Sequence, residues 1–520
     1  MQERYSCILP FVFFTITITY TVIMKEIRHL LAVVLTFVAV ASQASGSASL
    51  PVLRIAFPDK IVKNMPYSNG TMSLTDTDGN VVEMKAKFKT RGATAQQYLM
   101  KPALNMKLQN EDYTEEADSA LLGIRSCSTW ILDAMAIDRI CMRNRVTMDV
   151  WNEYSRLPYE TDFDGRHGTA GRFIELYIND VYYGIYCMSD RINRKLLDLK
   201  KYDEKKELVR GVLYKSGTSD IDNQNERGFS SDSLACTVTW HNAWELKEPE
   251  DHAGLAAWQP LLDLYDNQTN YAAVKKYFFL ENLVDYQLLV MAFSIGDNWG
   301  NKNHYFSIRN IQKDIDDADP TESARRKVVV TPWDLDASLG GAYDGRYYDG
   351  TYSQWSVADI RKNGFYPFSY CQGQSEYKAL MKSRWQQVRK TVFSKLSVNK
   401  RLEEYRDLFI NSGAWQRMTD AFDARSSKPC YVSDLAQEVA YIEKWYSDRF
   451  TEMDSYFGVT TIMGDANGDG IVSVADANSV VNYFLGNTAV DIDLNTADVN
   501  GDGTITIADA NAIVNLYIGQ

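Results

Sequence analysis

From Leu50 to about Asn110, apolar and polar residues trade places at every second position in VLRIAF, VVEMKAKFKTRG and PALNMKL. A period of two sends alternate side chains to opposite faces, so these stretches read as short strands, with turns at SNGT and DTDGN. The pattern then changes. WILDAMAIDRICMRNRVTMDVWNEY (130–154) spaces its apolar residues three to four apart and predicts a helix. RFIELYINDVYYGIYCMSD (172–190) returns to strand character on both sides of Asn179-Asp180, residues that tolerate a tight turn. Residues 270–295 are helical again, ending at Gly296. NHYFSIRN and KVVVTPWDLD are two strands joined by a charged loop (313–326), and helices dominate 375–456. Strands early and helices late, without βαβ alternation, predict an α+β fold and no Rossmann sheet.

The last sixty residues repeat themselves. GDANGDGIVSVADANSVVNYFLG (464–486) returns as ADVNGDGTITIADANAIVNLYIG (497–519), a shift of 33 residues. Oxygen-bearing side chains fall at loop positions 1, 3, 5, 9 and 12, with Gly at 6. These are Asp465, Asn467, Asp469, Gly470, Ser473 and Asp476, then Asp498, Asn500, Asp502, Gly503, Thr506 and Asp509. Position 7, Ile471 or Thr504, supplies its backbone carbonyl. Ca²⁺ wants about six to eight oxygens, and this spacing wraps a chain around one ion, so the tail is read as holding two Ca²⁺. Behind each loop runs an amphipathic helix, Val480, Val481, Phe484 and Leu485 matching Ile513, Val514, Tyr517 and Ile518. Residues 460–520 carry eight Asp and no Glu, Lys or Arg, eight of the chain's thirteen net negative charges. Carboxylates this dense repel one another until a cation neutralises them, so the tail should fold with calcium and loosen without it. Asp at position 12, with no helix in front of either loop, resembles a type I dockerin over the whole of 464–519. The resemblance implies a cohesin-like partner. Val474-Ala475 and Ile507-Ala508 stand where cellulosomal dockerins often carry a Ser-Thr-like pair, which leaves open which cohesin that is.

Calcium in useful amounts points outside the cell, and the N-terminus agrees. MKEIRHLLAVVLTFVAVASQASGSAS, from Met24, has a basic opening, an apolar run from Leu30 to Ala41 and small residues after it. That order reads as a signal peptide over 24–44, cleaved after Ala44. Residues 1–23 then read as an upstream start chosen in error; the competing reading is an anchored N-terminus with two apolar runs. Beyond Ser49 nothing is long and apolar enough to span a bilayer, so a secreted bacterial protein is expected. The chain divides into a leader (1–49), a body (50–458) and the tail (459–520). A net charge of −13 gives no footprint for nucleic acid. Cys127, Cys141, Cys187, Cys236, Cys371 and Cys430 are scattered without CxxC spacing, which speaks against zinc and leaves buried thiols and disulfides equally open.

Two segments of the body concentrate polar chemistry. GDNWGNKNHYFSIRN (296–310) is a Gly-bounded loop between an apolar helix and a strand, and VVVTPWDLDASLGG (328–341) is an apolar strand that ends in Asp334 and Asp336. Carboxylates from two meeting loops hold Mg²⁺ against phosphate oxygens; the same Asp residues also suit capping a turn. Asp297 and Asp334 facing each other across a cleft would equally suit a glycosidase. GGAYDGRYYDGTYSQW (340–355) sets Tyr343, Tyr347, Tyr348, Tyr352 and Trp355 beside several Asp, a platform for a polysaccharide ring or a loop covering the core.

RGATAQQYLMKPALNMKL (91–108), RNRVTMDVW (143–151), FIELYINDVYYGIYCMSDRI (173–192), GDNWGNKNHYF and PWDLDASLG resemble, in order and approximate spacing, the CotH spore-coat kinase family. The resemblance covers about 85–345, and the helices to Phe457 fit the family's C-terminal part. It implies an atypical protein-kinase-like domain that transfers the γ-phosphoryl of ATP to Ser or Thr of a protein substrate, with Mg²⁺ or Mn²⁺. Asp334 then resembles the metal-holding Asp of a kinase, with Asp336 a second ligand or its orienter. Asp297 would hold or deprotonate the acceptor hydroxyl, and Asn303 would ligate a second metal. Lys101 or Lys107, with Arg143, would meet the phosphates. A carbohydrate-binding or adhesin protein that keeps the kinase-like shell without the chemistry is the alternative.

Overall fold

Seven strands alternate inward apolar and outward polar residues in the first part of the body: β1 (Val52–Ala56), β2 (Ser68–Thr75), β3 (Val81–Thr90), β4 (Leu104–Gln109), β5 (Thr129–Asp133), β6 (Gly171–Ile178) and β7 (Val181–Asp190). They close into a barrel in the order β1-β2-β3-β4-β5-β7-β6, sealed by the parallel pair β1–β6; the other pairs are antiparallel. The computed structural model describes residues 49–92, 94–159, 167–217, 240–241, 244–266, 270–298, 302–346, 356–357, 370–371, 373–425, 431, 434–487 and 489–519. The leader, Cys7, Cys236, Cys430, Tyr347, Tyr348, Tyr352 and Trp355 lie outside these residues. No helix among the described residues is long and apolar enough to cross a membrane.

Closure lets the inward residues share one core, with Leu53, Met72, Phe88, Leu104, Met106, Trp130, Leu176 and Tyr186 all at or below 1 % exposure. Two expectations fail here. SNGT is part of β2, because Gly70 lets Ala56 approach so closely that any Cβ would meet its carbonyl oxygen. Of the predicted helix 130–154 only Arg143–Tyr154 is helical: Trp130–Asp133 belong to β5, and residues 134–142 are turns and loop. An unbroken apolar run fits a doubly covered strand as well as a helix. The hairpin at Asn179-Asp180 is as read, both residues at positive φ (48° and 62°) as its tight turn demands.

A second, antiparallel sheet follows: β8 (Val212–Gly217), β9 (Trp240–His241), β10 (Trp244–Glu248), β11 (Lys302–Ile308) and β12 (Val329–Pro332), ordered β12-β11-β8-β10-β9. The helices are α1 (Arg143–Tyr154), α2 (Leu255–Asp266), α3 (Tyr271–Tyr277), α4 (Leu280–Phe293), a short α5 (Pro320–Ala324) in the charged loop, α6 (Ser375–Val388), α7 (Lys395–Asn411), α8 (Ala414–Asp423) and α9 (Leu435–Phe457). The predicted helix at 270–295 is two, broken where Phe278 bridges to Val328. From Asn282 onward α4 is buried on every side, which its all-round apolar sequence demands. The helical half packs on the barrel through β6 and β7: Phe173 meets Tyr405 and Phe409 edge-on, ring centroids 4.8 and 4.7 Å away. Cys127, Cys141, Cys187 and Cys371 are buried free thiols.

The tail carries α10 (Val474–Phe484), α11 (Leu494–Ala497) and α12 (Ile507–Ile518) around a small core centred on Val480 and Ile513. Phe484, Leu485, Tyr517 and Ile518 stand outside that core, 48–73 % exposed. The architecture is α+β, strands first and helices later, as the hydrophobic pattern predicts.

Candidate functional site

Asp133, Asp297 and Asp334 come from three ends: the last residue of β5, the loop leaving α4, and the segment after β12. Buried amides hold these ends. Asn282 of α4 exchanges two bonds with Val330 of β12, at 3.0 and 2.7 Å. Asn298, fully buried, donates its Nδ2 to the carbonyls of Asn303 (2.9 Å) and Trp333 (3.2 Å), joining the loop to both strands. Asn303 in turn donates to Asp297 Oδ2 at 2.9 Å, and Lys302 reaches Oδ1 at 2.5 Å. Asn144, in the first turn of α1, donates to Asp133 Oδ2 (3.0 Å) and accepts from the Leu335 amide (3.3 Å). Asp334 and Asn303 both hold left-handed backbone, φ 60° and 59°. Each costs on the order of 1 kcal/mol, sustained by this network.

Carboxylates crowd one another in this cleft. Burial pushes the Asp334 carboxyl above its usual range, Asp297 and Asp133 push it further, and Arg91 and Lys215 oppose. Asp334 keeps a solvent-exposed surface, and Asp336 is half-buried. Asp336 is raised well above the carboxylate range, by burial and then by Asp334, Asp133, Asp297 and Asp138. Among the described residues no three Asp, Glu, His or Cys side chains form a complete metal cage. The carboxylate and amide oxygens present are hard donors, the kind that a cation such as Mg²⁺ prefers.

A basic rim faces these carboxylates. Lys215 of β8 has its ammonium pushed down by burial and is opposed by Glu245 and Asp334. Arg91 lies over the Trp333 ring, 5.3 Å from its centroid. Arg191, Lys247 and Arg91 all act on Tyr305 of β11, so barrel and second sheet both contribute to the rim. A cavity of about 30 Å³ has Arg91, Asp133, Asn144, Trp333 and Asp334 in its lining.

Of the residues singled out in the sequence, Asp297, Asn303, Asp334 and Asp336 share the cleft. Lys101 lies behind it, 1 % exposed, its ammonium pushed down by burial and favoured by Cys141, Asp133 and Asp138. Lys107 sits at the rim beside Lys89 and is paired with Glu116 at 2.6 Å. Arg143 faces away: its guanidinium, 2 % exposed, binds Asp138 (2.7 Å) and Glu438 (3.4 Å), fastening α1 to α9. Tyr343 is about half exposed. Sequence reading missed Asp133, Lys215, Arg91, Asn144 and Asn298. Asp133 carries the very signal used for Asp334, a carboxylate ending an apolar strand, but was hidden in the segment read as helix. Lys215 is the one cation in the buried strand VLYKSG, and Arg91 opens the quoted RGAT.

The two tail loops have matching geometry. Asp465 accepts from the amides of Gly468 (2.9 Å), Asp469 (3.1 Å) and Gly470 (2.9 Å), and Asp498 from those of Gly501 (2.9 Å) and Gly503 (3.0 Å). Asp476 closes its loop on the amides of Asn467 (2.9 Å) and Ser473 (2.8 Å); Asp509 does so on Asn500 (3.2 Å) and Thr506 (2.9 Å). Gly470 and Gly503 turn at φ 91° and 81°, a conformation that L side chains rarely adopt. Asp469 and Asp502 accept from the amides of Ile471 and Thr504, each at 2.9 Å. The donors are all hard oxygens, Asp with Asn, hydroxyl and carbonyl, which is the chemistry of Ca²⁺.

A family model described as CotH kinase protein matches residues 88–453, well over half of the chain, and the chain belongs to that family. A second model, Dockerin type I domain, matches residues 463–517 and implies calcium binding and a cohesin partner. No curated protein sequence matches the chain.

Proposed function

We propose that the body is a secreted, ATP-dependent protein kinase with an atypical kinase-like fold, and that the tail carries it to a cohesin-bearing partner. The observation that carries this reading is the cleft, where mutually repelling carboxylates from β5, the α4 loop and β12 face Arg91 and Lys215. Phosphoryl transfer asks a protein mainly to position reactants and to surround phosphate with charge of the right sign. Asp334 and Asp336, with Asn303, would hold Mg²⁺ or Mn²⁺, which supplies charge neutralisation on the phosphates. Lys215 and Arg91 would bind phosphate oxygens directly, with Lys107 at the rim. Lys101, buried behind the site, would balance Asp133 and Asp138. Asp297, its carboxylate fixed by Lys302 and Asn303, would orient the Ser or Thr hydroxyl and take its proton. In the tail, the paired exposed apolar residues Val474, Phe484 and Leu485, and Ile507, Tyr517 and Ile518, support a partner-facing surface.

Calorimetric titration of the full chain with ATP tests the cleft. Metal-dependent binding by wild type that Asp334→Ala removes is expected. A folded wild type that binds no ATP with either metal would end the kinase reading.

A further inference from the structure

Where the repeat of the tail breaks, the chain does something the repeat does not explain. The segment ahead of the second loop, DIDLNTAD (491–498), aligns with TIMGD-bearing sequence ahead of the first, so that Asp493 corresponds to Thr460 and Thr496 to Met463. Only the second copy has a helical turn there, α11. Asp493 caps that turn through Oδ1, accepting from the Asn495 amide at 3.0 Å. Its Oδ2 accepts from Arg389 Nη1 of the body at 2.5 Å, with the two side chains 5 % and 4 % exposed. Arg389 also donates Nε and Nη2 to Asp454 of α9, at 2.8 and 2.9 Å. Three bonds flank this pair, one between main chains, Leu494 N to Lys390 O (2.9 Å), and two through the Asn495 side chain, its Nδ2 donating to Arg389 O (2.8 Å) and its Oδ1 accepting from Lys395 N (3.0 Å). Leu396 of α7 completes the apolar core of the tail.

The same turn is bonded to the first calcium loop. Asp493 N donates to Ala466 O at 2.7 Å, Gly464 N to Thr496 O at 3.0 Å, and Thr496 Oγ1 to Asp465 O at 2.6 Å. Asp465 is the first ligand of that loop. Lys390 binds Asp491 at 3.1 Å and crowds the loop itself, its Nζ lying 3.0 Å from where a Cβ on Gly468 would stand.

We propose that α11 is a plug seated in a socket formed by Arg389, Lys390 and Lys395, and that calcium in the first loop keeps it seated. Calcium occupancy is thereby coupled to the order of the helical end of the body. A loaded tail is a fixed extension of the body, and an unloaded one is released. The inference rests on the calcium reading of the loops and is independent of phosphoryl transfer. Buried opposite charges hold two elements together only while both are in place, and a loosened loop withdraws Asp493 from Arg389.

Hydrogen exchange on the full chain tests this, comparing calcium with EGTA and wild type with Asp493→Asn. Asn retains the cap and removes the charge, while the Arg389–Asp454 pair in the body stays. The expected result is exchange at 383–396 and 450–457 on the order of tenfold faster in EGTA, and equally faster in Asp493→Asn with calcium present. Acceleration confined to 465–509 in EGTA would overturn the coupling, as would loops that do not respond to EGTA at all. Protection at 383–396 that survives Asp493→Asn would overturn the assignment of the plug.

Discussion

The calcium tail and the cleft of the body both gather carboxylates, by opposite routes. In the tail, the oxygen donors of one loop all come from twelve consecutive residues, Asp465 to Asp476 or Asp498 to Asp509, and the loop's own amides hold the carboxylates in place. In the cleft, Asp133, Asp297 and Asp334 are some two hundred positions apart at the extremes, and asparagines buried in the fold hold them. A contiguous site depends on its ion for order. A dispersed site depends on the core beneath it. The two should therefore fail differently.

The largest effect is expected from removing calcium. At free calcium 1,000-fold above its dissociation constant, each loop gains about 4 kcal/mol from the ion, so chelation should melt the tail while the barrel keeps its transition. Calorimetric scans with and without EGTA check this; a barrel transition that moves as far as that of the tail would erase the contrast. Next comes Arg143→Met. It removes a buried cation from Asp138, which keeps three backbone amides, and from Glu438, which keeps Arg139, and should cost about 2–3 kcal/mol in chemical denaturation, with nucleotide affinity of the surviving folded protein unchanged. Lys215→Met should do the reverse, leaving the denaturation midpoint nearly in place and weakening ATP·Mg²⁺ binding about ten- to a hundredfold. If both substitutions act alike, the separation of scaffold from site is wrong.

The smallest effect is expected from removing one histidine's share of the pH response of the body. Burial lowers the imidazoles of His167 and His304 to about 3. The unfolded chain, with ordinary imidazoles, then binds more protons than the folded one below about pH 6.5. The two histidines should thus withdraw about 2 kcal/mol each between pH 6.5 and 5, against an opposite slope from the raised carboxyls of Asp334 and Asp336, so their share is read from histidine variants. Denaturation at the two pH values should show the slope, and His167→Gln should reduce it if that substitution folds.

This contrast also explains what the sequence could tell. The duplicated tail module was legible because its loops are local in sequence and repeated. So was the hairpin at Asn179-Asp180; the strand read as reaching Asp334 and Asp336 stops at Pro332, and both carboxylates lie in the segment after it. Ser68–Thr71 resembled a turn because Gly70 is there for a close strand approach and not for a bend. Trp130–Asp133 resembled helix because a strand covered on both sides has no alternation to show, and Asp133 was lost with it. Arg143 looked like a phosphate ligand because sequence cannot show that Asp138 and Glu438 already hold it. Lys215 and Arg91 become neighbours of Asp334 only when the second sheet meets the barrel, a long-range event without a spacing to read.

The most direct test of the account is transfer of labelled phosphoryl from ATP, with Mg²⁺ or Mn²⁺, by the full chain beside Asp334→Ala and Asp297→Ala, each confirmed folded by circular dichroism. The account predicts label on the wild-type protein or an added acceptor protein, reduced on the order of 10³-fold or more in both variants. Label that persists in the folded variants, or a folded wild type that transfers none, would contradict it.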